Sequence, residues 1–237
     1  MNKPKSKGFS GDRWTIYQKI LKQNYMNHQE IYTIFQQFIT ANFKTPFSLL
    51  DLGCGDAEFM TQALTGQNIT LYQGIDLSED ALAIAQKNLE HLPCNTKLIT
   101  GDFYQLLPDL VHQTLETFDI ILASFSLHHL SLEQKEETFA NLYKLLNSQG
   151  VFFLVDIVRL ADESRDAYID RALQSMQQHW SLLTADELTL VGENIAANDF
   201  PETLETLVTL AEQQGFSRSD RLYQDPRKTS NAIVFYK

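Results

Sequence analysis

The chain has 237 residues, 43% of them hydrophobic, enough for one sizeable α/β core with additional segments. Thirty acidic side chains against nineteen basic ones leave a formal net charge of −11, which repels phosphate backbones, so nucleic acid is not expected as a partner. Two cysteines, Cys54 and Cys94, exclude a disulfide framework or a multi-cysteine metal centre, and no apolar run is long enough to cross a membrane.

The amino terminus, Met1 to Lys7, has no apolar segment behind it, so no signal peptide is expected and a reducing cytoplasm is the expected location. Residues 1–28 carry Lys3, Lys5, Lys7, Arg13, Lys19 and Lys22 against Asp12 alone, which reads as a solvated tail. Residues 12–42 are helical in pattern, with Ile16, Ile20, Ile31, Ile34, Phe35 and Phe38 on an apolar face and a break over Asn24 to Asn27. Thr45-Pro46 ends the helix and opens a first strand, Ser48–Leu52, followed by a helix to about Leu64. Leu71–Ile75 is the second strand. Ser78 caps a helix over Asp80–Leu89. Thr96–Thr100 and the uninterrupted apolar run Ile120–Ala123 are strands three and four, the latter expected to be covered on both faces. Ser131-Leu132-Glu133-Gln134 has the form of a capping box for a helix to Leu146, which Gly150 is expected to close before strand five, Val151–Val155. Residues 160–198 are helical and polar, too long for a plain connection, and read as an inserted substrate cap; the lid residues are Trp14, Tyr168, His179 and Trp180. The stretch 156–213 bears twelve carboxylates against Arg159, Arg165 and Arg171, which reads as a solvated helical face, the alternative being an acidic entrance that favours a cationic substrate. Leu204–Gln214 is a helix, and Arg221–Gln224 with Ile233–Tyr236 form a terminal hairpin.

This alternation predicts an α/β, Rossmann-like, doubly wound sheet that is mostly parallel. The expected organisation is a single domain: helical lid 1–44, core 46–158, helical cap 159–200, and terminal helix and hairpin 201–237. In such sheets ligands bind beyond the carboxyl ends of the strands. The first strand runs into Leu50-Asp51-Leu52-Gly53-Cys54-Gly55-Asp56-Ala57-Glu58-Phe59, a strand, a Gly-x-Gly turn and a helix start. Gly53 and Gly55 permit a tight turn and close approach of a ligand. Asp51, Asp56 and Glu58 surround it with no lysine or arginine nearby, which suits a cationic ammonium or sulfonium rather than a pyrophosphate. Glu58 also stands where a dinucleotide fingerprint has its third glycine.

Asp51 through Phe59 resembles the first motif of the class I S-adenosylmethionine (SAM) methyltransferases. The resemblance covers 46–157 closely and the terminal hairpin loosely, and implies seven strands with the last antiparallel. It implies that Asp51, Gly53, Cys54 and Gly55 shape the methionine pocket, with the Gly53 carbonyl toward the ammonium. Asp76, after the second strand, would accept the ribose hydroxyls and Leu77 would lie against adenine; otherwise Asp76 caps the next helix. Asp102 and Phe103 would meet the adenine amino group and ring; otherwise Gly101-Asp102 is an ordinary turn. Ser124 would lie near the sulfonium. Cys54 reads as packing rather than as a nucleophile.

Leu127-His128-His129-Leu130 resembles a stretch of small-molecule methyltransferases. Either histidine could act as base toward an acceptor, or hydrogen-bond locally and fix the helix start. No spacing supports a histidine metal site, so no metal is expected. Tyr17 and Tyr25 could contact the methionine end of the cofactor, or simply pack an amphipathic helix on the core. The expected activity is transfer of a methyl group from SAM to a small organic acceptor, giving S-adenosylhomocysteine (SAH). Alternatives are transfer of another group from SAM or a derivative, an NAD-dependent dehydrogenase, and a non-catalytic partner subunit. No membrane partner is expected, and a homodimer is left open.

Overall fold

The computed structural model describes residues 12–113 and 117–237. The expected basic tail, with Lys3, Lys5 and Lys7, lies outside them, as does the side chain of Trp14. Two helices, α1 (Asp12–Lys22) and α2 (His28–Asn42), are separated by left-handed Asn24 and Asn27, where the sequence breaks its apolar stripe. β1 (Phe47–Leu52), α3 (Glu58–Leu64), β2 (Ile69–Asp76), α4 (Glu79–Leu89), β3 (Asn95–Thr100), α5 (Phe103–Gln113) and β4 (Phe118–Ser124) follow. A short 3-10 turn at Leu127–His129 then leads to α6 (Leu132–Leu145) and β5 (Leu146–Arg159). The chain closes with α7 (Arg165–His179), α8 (Ala185–Asn198), β6 (Glu202–Thr203), α9 (Leu204–Gln213), β7 (Arg218–Gln224) and β8 (Ser230–Tyr236).

The strands form one sheet in the order β3-β2-β1-β4-β5-β8-β7, with the two-residue β6 attached to the end of β5. β1 to β5 are parallel, and β8 inserts antiparallel between β5 and β7. Alternate side chains of the central strands feed two cores. Leu49, Leu122, Phe153 and Val234 pack with Phe35, Ile39 and Met60 on the α2–α3 face. Leu50, Ile121, Phe152, Leu154 and Ile233 pack with Phe139, Leu142 and Leu207 on the α6–α9 face. Burial on both faces explains why these strands read as continuous apolar runs.

The capping box at Ser131 and Gln134 is present with both hydrogen bonds, and the Ser78 side chain accepts from Ala81 N. Gly150 is not a helix terminator. α6 already ends at Leu145, and Gly150 lies within β5, where a Cβ would come within 3.0 Å of the Phe118 carbonyl. The β4–β5 register shifts between Phe118 and Ile120, and a side chain at Gly150 would crowd the backbone there. Helix α5, with Pro108 inside it, is an element beyond those expected from the pattern. The helical cap is a pair, α7 and α8. α8 joins α1 through an apolar seam of Ile16, Ile20, Trp180 and Leu183, closed by the Lys19–Glu187 ion pair at 2.6 Å. Among the described residues no helix is long and apolar enough to cross a membrane.

Candidate functional site

The carboxyl ends of β1, β2, β3 and β4 are stitched into one arc by backbone hydrogen bonds. Gly53 N and Cys54 N donate to Ile75 O at 2.8 and 3.1 Å, and Gly101 N donates to Asp76 O at 2.9 Å. Ser126 Oγ donates to Leu52 O at 2.8 Å, drawing the loop after β4 across Gly53. A Cβ on Gly53, which sits at φ +75°, would fall 2.7 Å from Ser126 Cβ, so glycine is needed for both conformation and space. Gly55, at φ +54°, has no heavy atom within 4 Å of where its Cβ would be, which leaves the turn approachable.

Asp76 ends β2. Its Oδ2 accepts Gly55 N–H at 2.9 Å and its Oδ1 accepts Ser78 N–H at 2.8 Å, so the carboxylate locks the Gly-x-Gly turn to the start of α4 and keeps lone pairs to spare. Burial raises its pKa above the usual carboxylate range despite those two donors. Leu77 beside it is 56% exposed, an apolar side chain left largely open to solvent. Asp102 is exposed, its Oδ1 accepting Tyr104 N–H at 3.0 Å at the head of α5, while Phe103 is partly buried against the core. Asp51 is 2% exposed and accepts the Tyr72 hydroxyl at 2.8 Å. Burial pushes its pKa up to about 7, the Tyr72 bond opposing and the nearby Asp76 charge adding to the rise. Cys54 is buried beneath the turn with its thiol pKa raised well above the ordinary value, first by burial and then by Asp51 and Asp76. That environment makes it a packing residue and a poor nucleophile.

The amino-terminal helices roof this arc. Gln18 Nε2 donates to Asp56 Oδ2 at 3.4 Å, and Tyr17 lies near Asp56 and Asp76, its pKa raised by burial and by those two charges. Ser124, at the tip of β4, lies beside Tyr32 of α2, whose pKa is raised chiefly by burial and by the Asp51 charge, with Ser124 opposing the rise. Tyr25 stands apart from the strand tips. Its ring stacks on Trp180 at 5.3 Å, and its hydroxyl accepts Leu182 N–H at 2.9 Å, so it pins α1 to the cap. His128 is buried, with Nδ1 donating to Asp156 Oδ1 and Nε2 3.8 Å from Asp199 Oδ1. Burial works most strongly against its protonation, but the Asp156 charge, the Asp156 hydrogen bond and the Asp199 charge together outweigh it, and the pKa lies above the ordinary histidine value. His129 is half-exposed, its Nδ1 3.3 Å from the Asn198 carbonyl and 3.4 Å from Asp199 Oδ1. The structure thus gathers Asp51, Gly53, Cys54, Gly55, Asp76, Leu77 and Ser124 along one edge, with Tyr17 above it. The histidines and Tyr25 belong to the junctions with the cap.

Sequence reasoning passed over Tyr32, Tyr72 and Asp156, and singled out the stretch Asn24 to His28 without a role for His28. Tyr72 had a signal: it lies within an apolar strand and faces the same side as Gly74 and the Cys54 sulfur. Asp156 had one too, because it is a carboxylate directly after the apolar run Val151–Val155, although β5 continues past it to Arg159. Asp199, at the end of α8, had none.

The donor set fits SAM. The cleft offers carboxylates and backbone carbonyls to a cationic ligand, an approachable glycine turn and an exposed apolar side chain beside Asp76. The family described as "Methyltransferase domain" matches residues 44–213. Among curated relatives, carboxy-S-adenosyl-L-methionine synthase of Shewanella amazonensis is 28% identical over 186 residues, covering 76% of this chain and 73% of that protein. The plantazolicin methyltransferase structure with SAH has a TM-score of 0.67 at 18% identity, covering 96% of this chain and 92% of that one. The magnesium protoporphyrin IX methyltransferase of Synechocystis PCC 6803 with bound SAH has a TM-score of 0.65 at 14% identity, covering 97% and 96%. Other solved structures of this fold are longer, and the chain spans 63% and 59% of two of them. The match over most of the chain, together with the strand order and the glycine turn, places this protein in the methyltransferase-domain family of class I SAM-dependent enzymes.

Proposed function

We propose that this chain transfers a methyl group from SAM to a small organic acceptor and releases SAH. The observation that carries the reading is the arc of strand tips, in which Asp76 ties Gly55 to Ser78 beside the exposed Leu77. Bound SAM supplies an electrophilic methyl carbon on a cationic sulfur. In this reading Asp76 accepts the ribose hydroxyls on its remaining lone pairs, Leu77 covers one adenine face, and Asp102 with Phe103 meets the adenine edge. The Gly53 carbonyl accepts from the ammonium, and Asp51 reaches it through water. Cys54 and Gly55 keep the turn close, while Ser124 and Tyr17 border the sulfur. Tyr25 is a positioning residue, holding α1 against the cap. The acceptor's lone pair forms the new bond to carbon as the carbon–sulfur bond breaks, with the electron pair left on sulfur. The chain contributes alignment and exclusion of water, and the acceptor proton leaves to solvent. Neither His128 nor His129 is assigned as base, since both rings face the Asp156–Asp199 junction.

The relative that makes carboxy-SAM supports a second reading, in which the sulfonium itself is modified. Against it, the segments 53–58, 76–79, 101–103 and 124–129 contain no lysine or arginine to pair with an added carboxylate. Incubation with methyl-labelled SAM and a panel of small phenols, amines, acids and thiols, read by mass spectrometry, separates the two. The proposal expects SAH and labelled acceptor in equal amounts. Label retained on an altered sulfonium nucleoside would overturn it.

A further inference from the structure

The ring nitrogens of His128 and His129 and a carboxylate oxygen of Asp199 all lie within 4.8 Å of one another, at the point where the loop after β4 meets the end of α8. Asp199 is only 5% exposed, yet its Oδ1 has no hydrogen-bond partner among the described residues. A buried, unpartnered carboxylate oxygen is costly, and a bound cation relieves that cost. The spacing suits such an ion. Three donors at bonds of about 2.1 Å in tetrahedral geometry stand about 3.4 Å apart. Here His129 Nδ1 is 3.4 Å and His128 Nε2 3.8 Å from Asp199 Oδ1.

The surroundings orient the donors. Asp156 accepts from His128 Nδ1, which leaves the Nε2 lone pair directed toward Asp199, the carboxylate–imidazole arrangement that raises ligand basicity. Phe200 N donates to His128 O at 2.7 Å, and Arg165 Nε donates to Asp199 O at 2.7 Å, so the backbone on both sides is fixed. His129 Nδ1 is also hydrogen-bonded to Asn198 O at 3.3 Å, so binding an ion through Nδ1 requires the other tautomer and the exchange of that bond for the metal. His129 is 48% exposed, giving the ion an entry path and an open coordination position.

We infer that His128, His129 and Asp199 form a binding site for one divalent transition ion of the zinc type, which clamps the helical cap to the loop after β4. Two imidazoles with one carboxylate select a borderline ion such as Zn²⁺ or Co²⁺ over Mg²⁺. The test is calorimetric titration of the chelator-stripped full chain with ZnCl2, with CoCl2 added separately to read the visible spectrum. One Zn²⁺ should bind per chain, Co²⁺ should give tetrahedral or five-coordinate absorption bands, and the melting temperature should rise with Zn²⁺ but not with MgCl2. His129→Gln, at a half-exposed position, should weaken Zn²⁺ binding at least about tenfold, and Asp156→Asn about 10- to 100-fold by loosening His128. Circular dichroism checks that each variant is folded. No uptake by the stripped chain, or equal affinity in folded His129→Gln, would overturn the site and leave a plain imidazole–carboxylate cluster.

Discussion

At the residue scale, one carboxylate does several things at once. Asp76 holds Gly55 N–H and Ser78 N–H while standing beside the exposed Leu77, so it shapes the turn and faces the cleft. Replacing it by asparagine keeps the shape but removes one acceptor oxygen and the charge. Asp76→Asn should weaken SAH binding about 10- to 100-fold and also lower the melting temperature, because a carboxamide cannot accept both Gly55 N–H and Ser78 N–H; unchanged affinity by calorimetry would refute the ribose assignment. His28 offers a test of the roof. It is 5% exposed, stacks on Phe59 at 5.3 Å and lies tilted against Phe125 at 5.1 Å, and its Nδ1 has no hydrogen-bond partner among the described residues. Burial lowers its pKa to about 4, with Glu30 opposing. The unfolded chain therefore takes up this proton at a higher pH than the folded one, and stability falls as pH drops from about 6.5 to about 4. Between pH 7 and 4.5 the loss should be about 2 kcal/mol greater for the wild type than for His28→Phe, measured by urea unfolding. Equal losses would show that His28 is solvated in the folded state.

At the scale of elements, local signals and distant contacts were not equally legible. The capping box at Ser131, the cap at Ser78 and the apolar runs of β1 and β4 are short-range patterns, and the sequence displays them directly. The same holds for the glycine turn and Asp76, whose chemistry lies within one β-α-β unit. Gly150 was misleading because its reason for being glycine is a close approach to the backbone at Phe118, thirty-two positions away in the chain. α5 was hidden by Pro108, and Tyr25 took its partners from the cap. The seam between α1 and the cap is a separate cooperative unit in this account. Tyr25→Ala removes a stacked ring and the acceptor for Leu182 N–H, together about 1–3 kcal/mol. Hydrogen exchange should quicken across α1 and residues 180–184, while β1, β4 and β5 keep their protection. Loss of protection spread evenly through the sheet would contradict a local seam.

At the scale of the molecule, a chain of net charge −11 concentrates carboxylates at the rim of its own cleft. That arrangement is unfavourable for a polyphosphate and favourable for a nucleoside bearing a cationic sulfur and an ammonium. The parallel order β3-β2-β1-β4 supplies the rim, the amino-terminal helices supply its roof, and the α7–α8 pair anchors that roof. The claim on which this account rests is the match between that rim and the cofactor. Its most direct test is side-by-side calorimetry of the full chain with SAH and with NAD. One SAH per chain should bind with NAD showing no heat of binding, and NAD binding without SAH binding would contradict the account.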